Sequence, residues 1–152
     1  MGISLTPDEQ FDVFGTFKYD EELEKVKQRW RDSWGDTDLW EESQRRMMAY
    51  TKEDWTTIMS EGKDLVRKFA DAFRAGEPPT GETAMDIAEA HRQYTSSRFF
   101  DTGYEEHRRI AEMYTANLAC VAMWDAAVEP GYTRYVADAI LANARRAYGA
   151  AR

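Results

Sequence analysis

Apolar side chains recur at helical spacing along most of this chain. The clearest run lies between Thr51 and Gly76, where Trp55, Ile58, Met59, Gly62, Leu65, Val66, Phe69 and Phe73 fall three or four positions apart. Only an α-helix gathers such a set on one face. Thr51 is placed to cap its start and Gly76 to end it. Glu77-Pro78-Pro79-Thr80-Gly81 then makes the one clear break in the sequence. Beyond it, Ala84, Ile87, Ala88, His91 and Tyr94 form the stripe of a helix opening near Thr83. Further helices are predicted through the stretch Phe100 to Tyr114, from Asn117 to about Val128, and from Pro130 to Tyr148.

Before the break the helices are shorter and more charged. Thr6-Pro7-Asp8-Glu9 reads as a capping box with proline at the first helical position, and Gly15 stops that helix. Asp20 can cap a second, ended by Gly35, whose narrow apolar stripe is Leu23, Val26, Trp30 and Trp34. Its Glu- and Lys-rich start reads as a solvated face. Asp36 or Thr37 opens a third, carrying Leu39, Trp40, Met47 and Met48. No stretch alternates with period two for long enough to make a strand. The pattern predicts an all-α fold of about seven to eight helices in a single domain spanning 1–152. Short helices with narrow stripes are costly to nucleate alone. The N-terminal part, 1–50, is therefore expected to order firmly only against something large and apolar.

Composition narrows the function. A chain of 152 residues suits one domain. Its apolar bulk sits in few large side chains: five Trp, eight Tyr and seven Phe. A net charge of −8 repels phosphate backbones, so direct nucleic-acid binding is not expected. Cys120 is the only cysteine, which excludes an internal disulfide. No signal peptide and no apolar run near the ~20 residues of a membrane span can be found. A soluble, cytoplasmic protein is expected.

Catalytic chemistry is hard to find. There is no Ser/His/Asp or Cys/His arrangement, no phosphate loop and no dinucleotide fingerprint, so neither an enzyme nor a cofactor is expected. His91 and His107 are the only histidines and have no metal-ligand spacing. They read as hydrogen-bonded histidines between packed helices, with a haem ligand as the lesser alternative. In the helix after Phe100, Thr102, Glu106, Arg109 and Met113 share one face, and Gly103, His107, Ile110 and Tyr114 share another. Trp40, Met47, Trp55 and Met59 read either as core or as the stacking and thioether surface of a ligand cleft.

The stretch Asp101-Thr102-Gly103-Tyr104-Glu105-Glu106-His107-Arg108-Arg109-Ile110-Ala111-Glu112-Met113-Tyr114 resembles a D-C-G-Y-x-x-H-x-C-x-x-E-M-Y segment. That segment belongs to the TipAS-type antibiotic-recognition domains, the drug-sensing halves of thiostrepton-induced MerR-type regulators. Other blocks keep the family's order, among them Leu5-Thr6-Pro7-Asp8-Glu9, Trp34-Gly35-Asp36-Thr37-Asp38, Tyr50 to Trp55, Ala88 to Gln93 and Asp138 to Ala144. The resemblance implies a globin-like helical fold with a deep cleft for bulky, rigid antibiotics, typically sulfur-containing macrocyclic peptides. It also implies an N-terminal portion that is mobile without ligand.

The family traps its ligand through a cysteine thiolate, and here the two motif cysteines are Thr102 and Arg109. Neither can act as a soft nucleophile, so reversible, non-covalent binding is expected. An arginine in the cleft would favour a carboxylate, phenolate or polarised carbonyl. Cys120 is expected to be a buried small apolar residue. The resemblance places Thr102, Glu106, Arg109 and Met113 on the cleft, with Tyr104 beside them, and adds Trp40, Met47, Trp55 and Met59 as its aromatic and thioether wall. The chain starts inside the module, so it is expected to be either a stand-alone binder or the sensor half of a regulator with a fused DNA-binding domain. Drug capture would then give sequestration and drug resistance, or transcriptional activation. The alternatives are a protein-interaction module with a vestigial cleft and a haem-binding globin-like protein.

Overall fold

The computed structural model describes residues 38–150 and, ahead of them, Thr6 and Glu9. The backbone N–H of Thr6 donates to Glu9 Oε1 at 3.0 Å, and the N–H of Glu9 donates to Thr6 Oγ1 at 3.2 Å. That is the predicted capping box. The helix expected after Asp20 lies outside the described residues, as does most of the segment 1–50 expected to be mobile.

Among the described residues the chain is all-helical, with six helices: α1 Asp38–Ala49, α2 Lys52–Arg74, α3 Glu82–Arg98, α4 Tyr104–Ala116, α5 Leu118–Ala127 and α6 Tyr132–Ala150. Their ends follow from local chemistry. Thr51 Oγ1 accepts from the N–H of Asp54 while the Asp54 carboxylate accepts from the N–H of Thr51, so α2 begins in a reciprocal cap. It ends where Gly76 adopts φ +78°. There the N–H groups of Gly76 and Glu77 reach back to the carbonyls of Phe73 and Ala72, a Schellman closure that favours glycine. Asn117 Oδ1 accepts from the N–H groups of Ala119 and Cys120 to start α5. Asp125, on α5, caps α6 by accepting from the N–H groups of Gly131 and Thr133.

α6 is the central helix, packed against α4, α3, α5 and α2. Its buried set runs almost around the cylinder: Tyr132, Thr133, Tyr135, Val136, Ala137, Ala139, Ile140, Ala142, Asn143 and Ala144. The alanines bring neighbouring helices close, while Phe69 of α2 and the tyrosines supply the bulk. α1 differs, contributing no buried residue. Leu39 and Trp40 pack on Phe100 and Ile110, and Met47 and Tyr50 on Trp55 and Ile58. Arg46 ties the helix down through Ser96 O at 2.7 Å and Asp101 Oδ1 at 3.0 Å.

Candidate ligand-binding cavity

A cavity of about 560 Å³ opens between five of the helices. α2 contributes Met59, Gly62, Lys63, Leu65, Val66 and Phe69; α3 contributes His91 and Tyr94. Tyr114 comes from α4, Trp124 from α5, and Tyr132, Thr133 and Val136 from α6. The inward faces of long amphipathic helices thus form both core and cavity wall. Met59 and Lys63 also border a shallower depression lined by Thr56, Ser60, Glu61, Asp64 and Arg67, so they mark the outer end. Glycine at 62 matters here: a Cβ would lie 3.0 Å from the Tyr94 hydroxyl, which donates to Ile58 O at 3.0 Å.

Apart from Lys63 at the outer end, the walls are aromatic and apolar. Trp124 and Tyr132 stand with ring centroids 6.3 Å apart, and Phe69 meets His91 edge-on at 6.3 Å. Burial pushes the Tyr94 hydroxyl up to about 12, helped by Glu61, and raises those of Tyr114 and Tyr132 as well. All three phenols therefore stay protonated at neutral pH. His91 Nδ1 is 2.8 Å from His107 Nε2, with the two rings stacked at 5.1 Å. Burial pulls the His91 imidazole down to about 4. It pulls His107 lower still, with His91 and Arg92 adding to the effect and Glu89 opposing it. Both rings are neutral at pH 7, which leaves Lys63 as the charge on the cavity lining.

Of the residues expected from the sequence to contact a ligand, Met59 lines this cavity. Thr102 is buried away from it. Its hydroxyl donates to Phe100 O at 2.7 Å and its carbonyl accepts from Arg92 at 2.8 Å. Glu106 accepts from the N–H of Gly103 at 2.8 Å, at the start of α4. A Cβ at 103 would sit 2.7 Å from that carboxylate oxygen, so a larger residue there would push the Glu106 side chain aside. Arg109 is on the exposed face of α4. Tyr104 lies under the Arg92 guanidinium, 4.3 Å from its centroid. Trp40 and Met113 pack in the cluster around Phe100 and Ile110, and Met47 and Trp55 in the seam between α1 and α2. Tyr94, Trp124 and Tyr132, all cavity residues, were not singled out as ligand contacts. Cys120 is buried, outside the cavity lining, with its thiol pushed up to about 11 by burial.

A helical domain enclosing an aromatic, largely apolar cavity of this size has the form of a small-molecule-binding module. Residues 20–143 match the TipAS antibiotic-recognition domain, and the chain belongs to that family. It is 46% identical over 146 residues to the HTH-type transcriptional activator TipA of Streptomyces coelicolor and to that of Streptomyces lividans. Each match covers 96% of this chain and 56% of the relative, so the chain spans just over half the length of these curated proteins. Among solved structures it is similar to TipAS in complex with nosiheptide, from a thiopeptide antibiotic multidrug resistance system of Streptomyces lividans. That likeness has a TM-score of 0.79 and 43% identity, and covers 96% of this chain and 99% of that one. It is also similar to the antibiotic-binding domain of a TipA-class multidrug resistance transcriptional regulator, with a TM-score of 0.56 and 44% identity over 61% of this chain and 98% of that one.

Proposed function

We propose that this domain binds a bulky, rigid peptide antibiotic of the thiopeptide type, reversibly, with part of the drug inserted between α2, α3, α4, α5 and α6. The observation that carries the reading is the cavity wall of Phe69, Tyr94, Tyr114, Trp124 and Tyr132, in a chain of the TipAS family. Stacking and apolar burial would hold the heterocycles, and Met59 at the outer end adapts to their shape. A macrocyclic drug exceeds about 560 Å³, so the remainder would extend past Met59 and Lys63. The reading has the N-terminal part, 1–50, order around that remainder, and keeps Arg109, Met113 and Trp40 as contacts outside the cavity.

Binding is non-covalent in this reading, because Thr102 and Arg109 stand where the family's reactive cysteines do and Cys120 is a buried, protonated thiol. The domain is a binder rather than an enzyme, and acts in the cytoplasm. No helix among the described residues is long and apolar enough to cross a membrane. Joined to a MerR-type DNA-binding domain it would be the sensor of a transcriptional activator; alone it would sequester the drug. Titration with nosiheptide tests the core of the reading. Saturable quenching of tryptophan fluorescence at micromolar drug, with no added mass on the intact protein, is expected. An unchanged spectrum at saturating drug would refute thiopeptide capture.

A further inference from the structure

The two histidines form a unit whose proton positions can be worked out. One hydrogen bond joins His91 Nδ1 to His107 Nε2 at 2.8 Å, and the wholly buried His107 has no partner for its Nδ1 among the described residues. Neutral rings carry one N–H each, so two arrangements exist. In the first, His91 Nδ1–H donates to His107 Nε2; His107 must then carry its proton on Nδ1, a buried N–H with no acceptor. In the second, His107 Nε2–H donates to His91 Nδ1, and His107 Nδ1 is only a bare lone pair. Orphaned buried N–H groups are the rarer and costlier defect. The second arrangement also puts both rings in the Nε2–H form that free imidazole side chains prefer. It leaves His91 with its Nε2–H as the ring nitrogen available to the cavity that His91 lines.

We propose that His91 is a specificity-determining donor of the cavity, locked as its Nε2–H tautomer by His107, and that the cavity selects ligands presenting an uncharged acceptor at that point. An azole nitrogen or an amide carbonyl fits this chemistry. Tyr94 does not duplicate the role, because its own proton is spent on Ile58 O. A cationic group is disfavoured, since the neutral His91 offers it a proton rather than a lone pair. The stacked His107 ring and the edge of Phe69 fix the direction of the donor, so the acceptor must come to it.

This rests on the cavity being the antibiotic site, but one arm of the test does not. Nitrogen-15 NMR of histidine-labelled protein without any ligand should show His91 protonated at Nε2 and bare at Nδ1. A proton on His91 Nδ1 would overturn the proposal whatever the domain binds. With nosiheptide as the probe, His91→Phe removes the donor and also the acceptor of His107 Nε2–H, so its fold is checked by urea unfolding. Where it folds it should weaken binding about tenfold. His91→Gln returns an N–H near the place of Nε2 and should recover most of the loss. Wild-type binding that is unaffected by His91→Phe would refute the donor role while leaving antibiotic binding intact. No binding by the wild type would instead refute the functional reading, and the tautomer measurement would still judge the histidine pair.

Discussion

Mild acid should destabilise this domain well above the range where carboxylates titrate. Lowering the pH from 7 to 5 is the perturbation, and the histidine pair is the cause. Above pH 6.5 the ring of His107 is neutral in both folded and unfolded chains and adds no pH dependence. Below 6.5 the unfolded chain takes up a proton that the folded one refuses, because burial, His91 and the nearby Arg92 all oppose it, against the pull of Glu89. Stability therefore falls with pH through this window. A pH of 5 lies about 1.5 units below the ordinary pKa of the unfolded ring, which at ~1.4 kcal/mol per unit is about 2 kcal/mol. The folded pKa drops out of that figure as long as it is near 4 or lower. His91, pulled down to about 4, adds up to as much again, less whatever water in the cavity relieves. A loss of roughly 2–4 kcal/mol is large against the ~5–15 kcal/mol of a typical domain. Urea unfolding at pH 7.0 and 5.0 reads it as a midpoint drop of about 1–2 M for a slope near ~2 kcal/mol/M. His107→Gln, neutral at both values, should shrink the drop by half or more. The same midpoint at both pH values would refute the buried neutral pair.

Three further outcomes follow from the fold. Phe69→Ala removes a fully buried ring from both the core and the cavity wall; it should cost about 3–5 kcal/mol by urea unfolding. Thr51→Ala opens the reciprocal cap of α2 and should cost about 1 kcal/mol, with Thr51→Ser close to wild type. Glu89 accepts from Arg92, Gln93 and Asn143 and is held down to about 2 against its burial. Its share of stability is present above about pH 4.5 and lost as pH falls toward 2, so Glu89→Gln should flatten unfolding curves in that lower window and leave the loss between pH 7 and 5 untouched.

Helix α2 was fully legible in the sequence, because cap, stripe and terminal glycine all agree. Its stripe could not say which of its residues pack and which face a void. Phe69 and Leu65 lie on the same face as Met59 and Gly62, and a helix period carries no information on how far away the opposing helix is. The wall of the cavity was harder still. Tyr94, Tyr114, Trp124 and Tyr132 sit on four helices, and only the three-dimensional crossing at α6 brings them together. Trp124 gave little signal, since apolar residues surround α5 on every side. Trp40 and Trp55, the conspicuous aromatics of the first half, proved to seam α1 onto the body. Family position drew attention to Thr102. Its hydroxyl bonds a backbone carbonyl, a use that sequence spacing does not reveal.

If the domain binds a thiopeptide without a thiolate, as proposed, its whole affinity comes from surfaces that close around the drug, inside the cavity and beyond it. One aromatic ring system buries roughly 150–250 Å². At ~25 cal/mol per Å² that is about 4–6 kcal/mol before any cost of ordering. Micromolar binding needs about 8 kcal/mol net, and association itself has an entropic cost. One ring alone does not reach it, and in the proposed reading the rest comes from further rings in the cavity and from contacts outside it. In that reading α1, which has no buried residue, and residues 1–37 supply the outer contacts. Removing residues 1–37 should therefore leave the acid sensitivity of the histidine pair and the stability of α2–α6 in place. Nosiheptide binding should weaken by tenfold or more. If the shortened domain bound the drug as tightly as the full chain, closure by the N-terminal part would be refuted. The cavity and its His91 donor would then carry the whole affinity.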